Sequence, residues 1–152
     1  MLARALDHVA VTVRDLDRSL AFYQGQLGLE EVARHRLEGE PISTMAGIKG
    51  VVMQVVRLIS RGTPRIQIDL QQYLAPEGRV ADSALGDIRN SHIGFQVDDM
   101  DDAYQRLSAN GVEFVSAPVT FDLGDEGTIR VVFLKDPDGF ILELTETKAK
   151  AD

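Results

Sequence analysis

Apolar and polar positions alternate cleanly at the start of the chain. Over residues 6–13, Val9, Val11 and Val13 fall on one face of a strand, and His8, Ala10 and Thr12 fall on the other. The period then lengthens. Leu16, Leu20, Tyr23 and Leu27 recur at helical spacing, and Asp15 or Asp17 is placed to cap that helix. Gly28 suits the left-handed position that ends it, and a second strand is expected from about Leu29. Residues 34–50 hold no sustained period and read as a loop or a short helix over one end of the sheet. Strand-like runs follow at about 51–59 and 65–71, with Arg61-Gly62-Thr63-Pro64 as the turn between them. In the second run Ile66, Ile68 and Leu70 share a face, and Gln67, Asp69 and Gln71 share the opposite one.

The opening pattern recurs near the middle of the chain. At one constant offset His8 falls on His92, Val13 on Val97, Asp15 on Asp99, Leu16 on Met100 and Asp17 on Asp101. Both copies lead into a helical pattern that stops at a glycine, Gly28 in the first and Gly111 in the second. The second copy continues with a strand at 92–97, a helix at about 100–109, and strands at about 112–116, 129–135 and 140–146. Asp136-Pro137-Asp138-Gly139 is the tight turn before the last strand. Two copies of one structural module follow from this self-similarity. The first module spans 1–75 and the second 91–147. Between them lies a polar linker, 76–90, broken by glycine and proline, and a frayed tail is expected over 148–152.

Composition narrows the classes. A chain of 152 residues makes one compact domain, or two half-size modules that share a core. A net charge of −8 without a basic run argues against a nucleic-acid partner. With no cysteine, disulfides and thiolate chemistry are excluded. The N-terminus lacks a signal-peptide core, and no apolar run approaches the roughly 20 residues that cross a bilayer. The expectation is a soluble, cytoplasmic protein.

The alternation also singles out four polar residues. Ile93, Phe95 and Val97 form an apolar face, so His92 points away from it with Gly94 and Gln96. On the last strand Phe140, Leu142 and Leu144 oppose Ile141, Glu143 and Thr145. Each helix needs an apolar face to cover, which leaves His8, Asp69, His92 and Glu143 on the uncovered side. Modules folded alike would curl their sheets into a shared cup lined by that side. Taken singly, each residue has a plainer reading: a hydrogen-bonded core histidine, or a solvated carboxylate on a strand. Equivalent repeat positions reverse that balance. Two neutral imidazoles and two carboxylates suit one divalent metal ion, Zn, Ni, Co, Mn or Fe, among which the donor types do not choose. Both negative charges would neutralise the ion and leave positions for water or a small-molecule substrate, as Lewis-acid catalysis requires. His35, flanked by arginines, reads as a surface residue. Tyr73 and Arg130 read as ordinary exposed side chains, with contact to substrate at the cup rim as the other reading.

These motifs resemble the vicinal oxygen chelate superfamily, which includes glyoxalase I, methylmalonyl-CoA epimerase, extradiol dioxygenases and bleomycin or fosfomycin resistance proteins. Leu6-Asp7-His8 through Phe22-Tyr23, with Leu27-Gly28, looks like the family's first βα unit. Ser91-His92-Ile93 through Asp98-Asp99 resembles its second, and Asp136 through Leu144 is similar to the closing hairpin. The resemblance covers about residues 5–146. It implies an α+β fold of two βαβββ modules forming a cupped mixed sheet (the glyoxalase/dioxygenase-like fold), commonly as a homodimer, with a metal in the cup. Position by position, His8, His92 and Glu143 match the family's ligands. Asp69 falls where glyoxalase I and the epimerase place a fourth, usually Glu or Gln. Being one methylene shorter, it would ligate directly or through water. The fourth acid favours a lyase or isomerase that moves a proton next to a carbonyl, with Glu143 as first choice of base and Asp69 as second. An Fe(II) extradiol-type dioxygenase using His8, His92 and Glu143 is the alternative, and a metal-free binding or resistance protein is a third reading. Thr12 stands where glyoxalase I commonly has an arginine for glutathione. Met53 stands where the epimerase has its second glutamate base.

Overall fold

The computed structural model describes residues 5–80, 84–88 and 90–149, leaving aside the side chains of 63–65. The chain divides into two compact units, Met1–Ala81 and Asp82–Asp152. Parts of the expected linker (81–83 and 89) and the end of the expected tail (150–152) lie outside the described residues.

In the first unit β1 (His8–Thr12) leads into α1 (Leu16–Tyr23) and then β2 (Glu30–Glu38), α2 (Glu40–Ala46), β3 (Val52–Ser60) and β4 (Thr63–Ala75). The four strands form a mixed sheet in the order β1-β4-β3-β2, with β1 parallel to β4 and the other pairs antiparallel. Asp15 is the N-cap of α1, its side chain accepting from the Arg18 N–H. Leu16, Leu20 and Tyr23 of this helix are buried, and α1 packs against β4. Register places Val11, Leu70 and Val56 side by side, with Ile68 and Leu58 one step along on the same face, all buried. The regular helix ends at Tyr23, earlier than the Leu16-to-Leu27 spacing suggests. The chain still reverses through Gly28 (φ 72°), where the Leu29 N–H reaches back to the Tyr23 carbonyl. The expected short helix of the 34–50 stretch is α2, whereas residues up to Glu38 extend β2. Ile42 of α2 joins Val51, Met53 and Val55 in a buried cluster on which Ala46 and Tyr73 pack.

The second unit repeats the plan with β5 (Ile93–Gln96), α3 (Met100–Ala109), β6 (Val119–Asp122), β7 (Thr128–Lys135) and β8 (Ile141–Lys148), ordered β5-β8-β7-β6. Again the first strand is parallel to the last, and Asp99 caps the helix. Leu142, Leu144, Val132 and Leu134 are buried, as are Met100 and Leu107 of α3, which packs on β8. The strand expected at 112–116 is a correction. Only Phe114 forms a bridge, to Leu134, and the true strand β6 begins at Val119. Glu113 and Val115 each exchange one backbone bond with β7 before the chain leaves its edge at Ser116-Ala117-Pro118. Proline has no N–H to continue the ladder, so pairing resumes only beyond it. Two βαβββ modules, an α+β fold, are thus present, with α2 as an addition in the first. Among the described residues no helix is long and apolar enough to cross a membrane.

The turn before β8 is held by Asp136, which is buried and accepts from the N–H groups of Asp138 and Phe140. Gly139 (φ 87°) supplies the left-handed residue. Asp136→Ala should lower stability by about 1–3 kcal/mol, since two backbone donors lose their acceptor. Urea denaturation at constant m-value measures it.

Candidate functional site

The parallel strand pair at the heart of each unit brings one histidine to one carboxylate. In the first, Ala10 stands beside Asp69 in register, and in the second Gly94 stands beside Glu143. Each carboxylate is therefore next to the residue two after the histidine, on the face turned away from the helix. His8 opens β1, and His92 immediately precedes β5. Asp69 and Glu143 are structurally equivalent, as the internal repeat requires.

Distances differ between the two pairs. His92 Nε2 lies 2.8 Å from Glu143 Oε2, and the His92 ring meets the edge of Phe133 at 5.2 Å. His8 Nε2 lies 3.8 Å from Asp69 Oδ2. His8 Nδ1 hydrogen-bonds Asp7 Oδ2 at 2.8 Å. The carboxylate can only accept, so Nδ1 carries a proton, and Nε2 is the nitrogen turned towards Asp69. The same bond holds the Asp7 carboxyl below its usual range, against a smaller opposing effect of desolvation. Asp7 lay next to His8 in the sequence but was not anticipated as its orienting partner.

A second residue escaped the sequence reading. Arg57, directly opposite Asp69 on β3, donates from Nε to Oδ1 and from Nη2 to Oδ2, both at 2.7 Å. Asp69 is 4% exposed, so this is a nearly buried carboxylate in a bidentate clamp. Hydrogen bonding to Asp69 is the main cause that raises the Arg57 pKa. The signal was present in the sequence, because Arg57 is the one charged residue in the apolar run Val51–Ile59. Glu143 has Phe133 in the equivalent place.

Other candidates sort by strand parity. His35 pairs with Val55, so it shares the Asp69 face of the sheet, and it is exposed. Tyr73 packs on the α2 cluster. Arg130 pairs with Glu146 across β7 and β8 on the opposite face from Glu143, and it binds Asp101 of α3 through two hydrogen bonds. It belongs to the helix-covered side, which removes it as a substrate contact. Gln67, in register with His8, carries a buried Oε1 that has no hydrogen-bond partner among the described residues.

The donor set suits a divalent cation. His92 Nε2 and Glu143 Oε2 stand at hydrogen-bond distance, 2.8 Å, somewhat closer than the roughly 3.0–3.4 Å between ligands about 2.0–2.2 Å from one ion. The described donors stand as two pairs, 3.8 Å apart in the first unit and 2.8 Å in the second, and among the described residues no group of three or more is assembled.

Comparison with known proteins places the chain. The family model of the Glyoxalase/Bleomycin resistance protein/Dioxygenase superfamily matches residues 5–144. A protein of Arabidopsis thaliana named Glyoxylase I 4 is 30% identical, across 92% of this chain and 69% of its own length. A 2-epi-5-epi-valiolone epimerase from Actinomyces sp is 28% identical, across 98% of this chain and 82% of its own. The crystal structure of a glyoxalase family protein from Bacillus cereus superposes with a TM-score of 0.83 at 22% identity, covering 95% of each chain. On the strength of a repeated histidine–carboxylate module and a match along almost its whole length, this chain belongs to the Glyoxalase/Bleomycin resistance protein/Dioxygenase superfamily.

Proposed function

We propose that the protein is a divalent-metal-dependent lyase or isomerase of the glyoxalase I type. It moves a proton on the carbon next to a carbonyl of a small molecule that offers two adjacent oxygens. The observation that carries this reading is the repeated pair, His8 with Asp69 and His92 with Glu143, at equivalent register positions. Relatives named glyoxylase I and epimerase support the lyase or isomerase branch. His8, His92 and Glu143 would hold the ion, one of Zn, Ni, Co, Mn or Fe, and Asp69 would complete the set directly or through water. When bound, the ion supplies Lewis-acid polarisation of the substrate carbonyl and stabilises negative charge that develops on its oxygen.

The chain's own residues do the rest. Glu143 accepts the proton from carbon and returns it, with Asp69 as the second choice because its oxygens already accept from Arg57. Asp7 keeps His8 in the tautomer whose Nε2 donates a lone pair. The active assembly is a homodimer.

Native mass spectrometry of protein purified without chelator tests the reading. The expected result is one divalent ion per chain, with loss of that ion in His8→Ala. Protein that is metal-free and takes up none of the five ions when they are supplied would overturn it. Iron together with Fe(II)-dependent oxygen uptake on a catechol would replace it with ring cleavage.

A further inference from the structure

We propose that the Glu143 face of the second unit is a subsite for a neutral, phenyl-sized apolar group of the substrate, with Val131 and Phe121 as its specificity-determining residues. This deepens the reading above and rests on it for the word substrate, whereas the subsite itself needs only the second unit and no metal ion.

The internal repeat shows what is particular to this face. Register carries it from Glu143 to Phe133, and alternation carries it along β7 to Val131 and Ile129. From there it passes to β6, where Val119 pairs with Val131 and Phe121 with Ile129. All five residues beyond Glu143 are apolar. The matching positions of the first unit are Arg57, Val55, Met53, His35 and Leu37. There α2, inserted between β2 and β3, clusters its Ile42 with Met53 and Val55, and both of these are buried. Between β6 and β7 the second unit has only one 3-10 turn, Gly124–Glu126. Its Ile129 and Val131 are half-buried, and Val119 and Phe121 are 47% and 53% exposed. A face that one module covers with its own apolar side chains is thus left open in the other, where an apolar group gains by leaving water.

Continuity selects the occupant. The patch begins at the candidate site, since Phe133 stands cross-strand from Glu143 and its ring meets the ring of His92. Val131 is the next residue on that face, roughly 7 Å further along β7. A protein segment laid along the whole patch would cover Phe133 and shut Glu143 away from any small molecule. A substituent of the molecule that Glu143 serves reaches Val131 and Phe121 from Glu143 itself. As an edge, β6 is four residues long and follows Pro118, which leaves little backbone for an added strand.

The test is isothermal titration of the protein, purified without chelator, with phenylpyruvate and with pyruvate, which share a head and differ by the phenyl ring. Phenylpyruvate should bind roughly tenfold tighter or more, the size expected when a ring is buried. In Phe121→Ser, and in the near-isosteric Val131→Thr, that ratio should fall about threefold or more, as apolar contact is lost to the ring. Met45→Ser removes a 73%-exposed apolar side chain from α2 of the first unit and should leave the ratio as it is. A ratio near one in the unaltered protein, a ratio that survives both substitutions, or an equal fall in Met45→Ser would overturn the inference. Failure of both compounds to bind at millimolar concentration would overturn it as well. Sedimentation of Phe121→Ser at the same mass as the unaltered protein is expected, whereas dissociation of a dimer would give the face to a second copy and overturn the subsite. Protein that keeps the phenyl preference but takes up no divalent ion would remove the lyase or isomerase reading and leave the subsite standing.

Discussion

Glu143→Gln is expected to reduce proton-transfer turnover by about 10²- to 10⁴-fold, the usual contribution of a positioned base. The fold should survive. Glu143 is only partly buried, with 18% of its side chain exposed, and the amide has the same shape as the acid. Its β8 neighbours Leu142 and Leu144, which carry the packing, face the helix side and are untouched. Metal affinity should fall as well, because a neutral amide oxygen replaces an anionic donor beside His92. Incorporation of solvent deuterium into a turned-over carbonyl substrate, followed with native mass spectrometry and a thermal melt, separates the three effects. Retained exchange at full metal occupancy would pass the role of base to Asp69. Lost exchange at full occupancy would keep it with Glu143.

The βαβββ plan was legible because its two signals are local. Val9-Ala10-Val11-Thr12 alternates, Asp15 and Asp99 each open a helical run, and the repetition of that unit doubles the information. The misplaced strand shows where local pattern fails. Residues 112–116 carry strand-like composition, and Glu113 and Val115 do touch β7. Whether an edge strand continues depends on backbone donors, however, and Pro118 interrupts them. A sequence window that scores side chains does not weigh that loss. The end of α1 was misread for a similar reason. Leu27 keeps helical spacing, and the N–H groups of Gln24, Gly25 and Gln26 still reach carbonyls four residues back, but the Leu27 N–H already reaches five back, to Phe22, as the chain turns towards Gly28.

That histidine and carboxylate share a face was legible, since alternation, with each helix needing an apolar face to cover, put His92 and Glu143 on the uncovered side and Leu142 and Leu144 on the other. Arg57 was not. Its effect on Asp69 depends on the β3–β4 register, which is set by a turn after Ser60 and by shifts at both ends of the pair. A slip by one residue would have aimed Arg57 at the helix face. Parity also decides against Arg130, whose companions Val132 and Leu134 face α3. Asp7 was passed over because the bond it makes to His8 Nδ1 is a neighbour effect that periodicity does not register.

Arg57→Met should be costly to stability in the metal-free protein, by about 2–4 kcal/mol. Breaking a buried ion pair from one side typically costs about 3–5 kcal/mol, because a desolvated charge loses its partner. The lower range reflects Arg57, whose side chain is 34% exposed and therefore partly screened by water. The carboxylate is the group at risk, since only 6% of the Asp69 side chain is exposed. Removing the other partner is a different experiment. In Asp69→Asn the guanidinium can turn its donors to solvent, and the loss should be about 1–2 kcal/mol. The double variant leaves no buried charge, so its loss should fall below the sum of the two single losses by about 1–3 kcal/mol, the coupling expected for residues in contact. Urea denaturation of all four proteins at matched m-values measures the cycle. Additive losses would mean that Asp69 finds another donor when Arg57 is gone. Strong coupling would mean that the carboxylate depends on the clamp for its place in the fold, as the two 2.7 Å bonds require.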